Sequence, residues 1–147
     1  MQIRKILVPT DFSECSTEAL GLAAELANRL GARLVVLHAL DLAPFERART
    51  MGPSFDLPAV VQAMERETER ELEAFAAGHA GLVDRRILAH GAAVDAILDA
   101  IGSEKPDLVA IGTHGRRGFS RAVFGSVAEK VVRLSPVPVL TVKPKGA

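Results

Sequence analysis

Asp107-Leu-Val-Ala-Ile-Gly-Thr-His-Gly115, nine residues, then Gly125-Ser-Val-Ala-Glu-Lys-Val-Val-Arg-Leu134: in this stretch an apolar run gives way to glycines and then to helical spacing. Asp107 to Ile111 reads as a buried parallel strand, and Val127 to Leu134 as a helix. The glycines therefore stand where a strand ends and a helix begins. A turn of that kind lets backbone N–H groups come close to an anion, and the helix N-terminus adds partial positive charge. Phosphate is the guest that this chemistry suits.

The same alternation runs outward in both directions. Ile3 to Val8 is a first strand, closed by Pro9-Thr-Asp11. Ser13 or Ser16 can cap a helix with Leu20, Ala23, Ala24, Ala27 and Leu30 on one face and Gly31 as its stop. Leu34 to His38 is a second strand. A second helix starts near Asp56, with Pro58 in its first turn and Val61, Met64, Leu72 and Phe75 as its apolar positions. Arg86 to His90 gives a third strand, and Val94, Ile97, Leu98 and Ile101 mark a third helix. Val137 to Val142 is the last strand. Strands alternating with helices predict an α/β fold with a parallel sheet, right-handed crossovers and helices on both faces. The connection from Asp41 to Phe55 is long and carries no clear periodicity, so it is either functional or a surface insertion.

Composition bounds the function. The 147 residues suffice for one domain with its own core, expected to span 1–147. Eighteen basic residues balance eighteen acidic ones, so no global field points to a nucleic acid. The single cysteine excludes an internal disulfide framework. Met1 runs directly into the first strand, and no apolar run approaches membrane-spanning length, so a cytoplasmic location is expected.

In an open α/β sheet, ligands bind outside the carboxyl ends of the strands where strand order reverses. Asp11, the segment His38-Ala39-Leu40 and the glycine loop all stand at such ends. Asp11 can accept hydrogen bonds from an adenine amine or a ribose hydroxyl, or else merely close a turn. Ala39 offers a small apolar wall and backbone groups for a base. Gly112, Gly115, Gly125 and Ser126 would hold phosphates, unless the glycines serve packing alone. Ser126-Val-Ala-Glu129 also fits a capping box, which would commit the serine hydroxyl to the helix and leave the N–H groups of Ser126 and Val127 as the better anion donors.

Gly112-x2-Gly115-x9-Gly125-Ser126 resembles the nucleotide-binding motif of the universal stress protein family, G-x2-G-x9-G-[S/T]. Ile6-Leu-Val-Pro-Thr-Asp11 resembles that family's opening strand, and Pro136-Val-Pro-Val-Leu140 its last one. The resemblance implies a five-stranded parallel sheet of order 3-2-1-4-5 and, for members with the full motif, bound ATP, with Mg²⁺ as its companion. Carried onto this chain, Asp11 and Ala39 would face the adenine, and Gly112, Gly115, Gly125, Ser126 and Val127 the phosphates and ribose. Ala39 stands where the family commonly has valine, which leaves a roomier base pocket. The family also implies a homodimer formed through the last strand, Val137 to Val142, and a regulatory role in stress responses.

Other chemistry finds less support. The chain has no G-x4-G-K-[ST] loop, and no lysine is placed to neutralise a γ-phosphate for transfer. Arg116, Arg117 and Arg121 could do so in part, and His114 could touch phosphate or act as an acid/base group; a slow ATPase or phosphotransferase is therefore one rival. An interaction module with an empty cleft is the other. His38, His79, His90 and His114 show no metal-ligand spacing. Cys15, near a helix start, is either a sensor thiol or an inert packing group.

Overall fold

The computed structural model describes residues 1–52, 56–114 and 124–145. Five strands, β1 (Lys5–Pro9), β2 (Arg33–Leu40), β3 (Val83–His90), β4 (Leu108–Gly112) and β5 (Val139–Val142), form one sheet of order β3-β2-β1-β4-β5. Every pairing is parallel. The helices are α1 (Glu14–Leu30), α2 (Ala43–Ala48), α3 (Leu57–Ala76), α4 (Ala93–Glu104) and α5 (Ser126–Leu134).

Alternation along the central strands divides the core in two. Ile6 and Val8 of β1, with Leu34 and Val36 of β2, pack against α1 and against Leu72 and Ala76 of α3. Leu7, Val35, Leu37 and Val109 face the other way, onto α4 and onto Ala128 and Val131 of α5. Strands covered on both faces need apolar residues at every position, which is why β1, β2 and β4 read as continuous runs. Each fully buried Ile, Leu or Val contributes roughly 1.5–3 kcal/mol by leaving water.

Helix α1 begins and ends on the residues that local chemistry favours. Ser13 caps it by accepting the Ser16 N–H at 3.2 Å, and Gly31 closes it in the left-handed conformation at φ 68°. Three expectations need correction. Leu30 was placed on the apolar face but is 49% exposed, because it sits on the last turn where the helix leaves the core. The connection from Asp41 holds helix α2 and a 3₁₀ turn, Arg49–Met51. The last strand starts at Val139 rather than Val137: Pro138 has no N–H to donate, although its carbonyl still accepts the Val109 N–H at 3.0 Å. Among the described residues no helix is long and apolar enough to cross a membrane.

Candidate functional site

The sheet order reverses at β1, whose neighbours are β2 on one side and β4 on the other. The carboxyl ends of these three strands carry Asp11, Ala39 and Gly112, so the fold brings together three segments far apart in sequence. The start of α5 joins them, because the Gly125 N–H donates to the Thr113 carbonyl at 2.6 Å. Gly115 lies outside the described residues, as do Arg116, Arg117 and Arg121.

Asp11 lies in the turn between β1 and α1. Its Oδ1 accepts the Ser13 N–H at 3.0 Å, so it does close a turn, as one reading of the sequence held. An ionised carboxylate only accepts, at about four lone-pair positions. On β2, the Leu37 carbonyl accepts the Thr10 N–H at 2.8 Å, just past the end of β1. Backbone groups alternate in direction along a strand, so those of Ala39, two residues on, point to the same side. They face the gap that β1 leaves when it turns into Asp11. The Ala39 side chain packs with the α4/α5 half of the core.

Two motif glycines are explained by close approach rather than by unusual backbone angles. A Cβ on Gly112 would stand 2.9 Å from Cys15 Sγ and 3.0 Å from the Cys15 carbonyl oxygen. A Cβ on Gly125 would stand 2.7 Å from the Thr113 oxygen. Gly112 thus lets the first turn of α1 settle on the end of β4, and Gly125 lets α5 start directly against β4's continuation. Both glycines therefore serve close packing, and the same packing brings the α5 N-terminus to the strand ends. Cys15 is buried, donating to the Val142 carbonyl at 3.1 Å, which fits the inert reading of that thiol.

The capping box is one residue out of register. Gly125 is the N-cap, with extended angles of φ −61° and ψ 141°, and Ser126 is the first helical residue. The Glu129 N–H donates to the Gly125 carbonyl at 2.9 Å. A helix cannot satisfy the N–H groups of its own first turn, here those of Ser126, Val127 and Ala128. The Glu129 carboxylate leans down the helix to Arg133, 3.9 Å away, and so away from those donors.

Among the described residues, His114 holds an unmet hydrogen-bond demand. Its Nδ1 is 2.8 Å from the hydroxyl of Thr113, a fully buried side chain, while its Nε2 is buried with no hydrogen-bond partner. A buried polar nitrogen left unpaired costs about 1–3 kcal/mol. These groups fit an adenine nucleotide: an orphaned ring nitrogen and the α5 N–H groups suit phosphate oxygens, and the β1/β2 end suits a base. Among the described residues no three metal-ligating side chains cluster; Mg²⁺ at such a site is typically held by substrate phosphates and water with one or two carboxylates. A separate groove of about 400 Å³ lies between α3 and β3. Its wall mixes charges, Arg66, Arg70 and Arg86 beside Glu69 and Glu73, and it stands apart from the carboxyl ends of β1 and β4.

Comparison with known proteins agrees with this architecture. The sequence pattern of the universal stress protein family matches residues 2–143. A universal stress protein of Thermus aquaticus is 34% identical over 140 residues, covering 95% of this chain and 98% of its own. Among solved structures, the protein MJ0577 of Methanocaldococcus jannaschii superposes with a TM-score of 0.84 over 100% of both chains at 24% identity, a likeness of fold. A universal stress protein in complex with cAMP superposes with a TM-score of 0.63 at 27% identity, covering 97% of this chain and 98% of that one.

Proposed function

The chain belongs to the universal stress protein family, and on that premise we propose that it binds an adenine nucleotide, ATP with Mg²⁺, at the carboxyl ends of β1, β2 and β4. The observation that carries this reading is the convergence there of an acidic turn, open strand-end backbone and a helix N-terminus beside the orphaned His114 Nε2. The relative solved with cAMP supports an adenine guest in this fold. Asp11 and the Ala39 backbone would read the adenosine end. Gly112, Gly115 and Gly125 would shape the phosphate end, with Ser126 and Val127 donating their N–H groups. The protein supplies positioning and partial charge, and the nucleotide's occupancy is its signal.

The proposal extends to a homodimer through β5. That strand is an edge, and the backbone groups of Pro138 and Val142 are turned inward to β4 and Thr113. By alternation, the N–H and C=O of Val139 and Thr141 point outward, ready to pair with a second copy. Regulation of a stress response by this dimer, inside the cell, completes the reading.

Competition tests the nucleotide assignment. A fluorescent adenine nucleotide bound to the purified chain should be displaced by ATP and far less by GTP. Equal displacement by both, or none by either, would remove the base-reading role of Asp11 and Ala39.

A further inference from the structure

The β1–β2 ladder runs in register from Lys5↔Arg33 to Pro9↔Leu37 and then the strands part. At the point of parting, Thr10 is held from both sides by consecutive residues of β2. Its N–H donates to the Leu37 carbonyl at 2.8 Å, and its carbonyl lies 2.8 Å from His38 Nδ1. A carbonyl can only accept, so the His38 proton is on Nδ1. The imidazole stands in for the strand N–H that would serve this carbonyl if the ladder continued.

The same ring holds the next residue but one. Phe12 stacks on His38, centroids 4.5 Å apart and planes 26° from parallel, and meets Phe75 of α3 edge-on at 5.9 Å. Phe12 has φ 63°, a left-handed conformation that costs a residue with a bulky side chain about 1–2 kcal/mol. Its N–H donates to Thr10 Oγ1 at 2.9 Å, and that hydroxyl is 2.9 Å from Ser16 Oγ. Asp11 lies between Thr10 and Phe12, two residues that His38 contacts directly.

We infer that His38 is a positioning residue for nucleotide recognition: by hydrogen bond and stacking it pins both flanks of Asp11 and fixes where that carboxylate stands. The inference rests on the nucleotide reading above. It concerns a side chain on the α1/α3 side of the sheet, which acts on the ligand only through the turn.

The test compares side chains that keep or lose the Nδ1 donor. In His38→Asn the amide nitrogen falls near the Nδ1 position, whereas in His38→Gln it reaches the Nε2 position; His38→Leu has no donor. Two quantities are read on each folded variant: amide exchange of Phe12 and Ser13 without nucleotide, and affinity for MgATP beside affinity for inorganic tripolyphosphate. The Gln and Leu variants should exchange both amides about tenfold faster and bind MgATP about tenfold more weakly, the worth of one well-made hydrogen bond. Tripolyphosphate affinity should be unchanged, and His38→Asn should stay within about threefold of the parent. A merely structural loss would lower both affinities together, and that result overturns the inference. So does unchanged MgATP binding in His38→Leu. Absence of MgATP binding by the parent would instead remove the nucleotide reading itself, and this inference with it. Should His38→Leu not fold, the Asn and Gln pair decides alone.

Discussion

The Gly125 N–H and the Thr113 carbonyl meet at 2.6 Å, and a Cβ on Gly125 would stand 2.7 Å from the same oxygen. This one contact ties the start of α5 to the end of β4, and both contacting atoms are backbone. Neither can swing aside as a flexible side chain would.

Gly125→Ala should therefore destabilise the protein by about 1–3 kcal/mol, the range for forced overpacking. It should also weaken nucleotide binding at least tenfold, because α5 must move off the strand end. Gly125→Asp should abolish binding, adding negative charge at the helix N-terminus. Chemical denaturation and calorimetry read the two effects separately. Wild-type affinity in Gly125→Ala would show that the α5 N-terminus is not the phosphate site.

Gly112→Ala tests a different contact. The added methyl meets Cys15 Sγ at 2.9 Å, but also the Cys15 backbone carbon and oxygen at 3.0 Å. Removing the thiol in Gly112→Ala/Cys15→Ala should recover less than half of the loss, which is expected at about 1–3 kcal/mol. Full recovery in the double variant would mean that only the sulfur limits the approach of α1 to β4.

Acid stability should depend on Asp107, whose half-buried carboxylate accepts the Arg4 N–H at 2.8 Å and the Lys5 N–H at 3.0 Å. These backbone hydrogen bonds, foremost that from Arg4, hold its pKa below the usual carboxylate value, against a desolvation that works the other way. A pKa lowered in the folded state stabilises the fold above the unfolded value, about 3.9 for Asp. That contribution falls away as pH drops through the lowered folded pKa. Asp107→Asn should cost about 1 kcal/mol at pH 7, the modest figure for a partly solvated site. The gap between variant and parent should close progressively below about pH 4. Denaturation midpoints from pH 7 to pH 2 measure it; a gap that is constant with pH would mean the charge contributes nothing.

The dimer proposal predicts that Thr141→Pro breaks assembly and spares the fold. The lost N–H points away from β4, so the inner ladder from Val109 to Pro138 and from Thr113 to Val142 keeps its bonds. Sedimentation should show a dimer for the parent and a monomer for the variant, with similar circular dichroism. A monomeric parent, or a variant that still dimerises, would argue against pairing through this edge.

Much of the fold could be read along the chain because local and tertiary demands agree there. Ser13 and Gly31 bound α1 as their side-chain and backbone chemistry requires, and the apolar runs of β1, β2 and β4 match burial on both faces. Helix α2 was not legible: six residues with none buried leave no periodicity to detect. The strand ends that gather Asp11, Ala39 and Gly112 were foreseeable from the reversal rule. What their glycines do was not, since Cys15 reaches Gly112 only through the packing of α1 on β4. His114 stood inside the motif, but its unpaired Nε2 emerges only from burial. His38 was placed at a strand end by the sequence, but its hold on the Asp11 turn was not legible, because its partner is a carbonyl 28 residues earlier in the chain.

Calorimetric titration of the nucleotide-stripped protein with ATP and Mg²⁺ tests the central claim most directly. Saturable binding near one ATP per chain is the predicted result, lost in Gly125→Asp. No heat and no competition up to millimolar ATP would leave the sheet and its topology intact and contradict the nucleotide site.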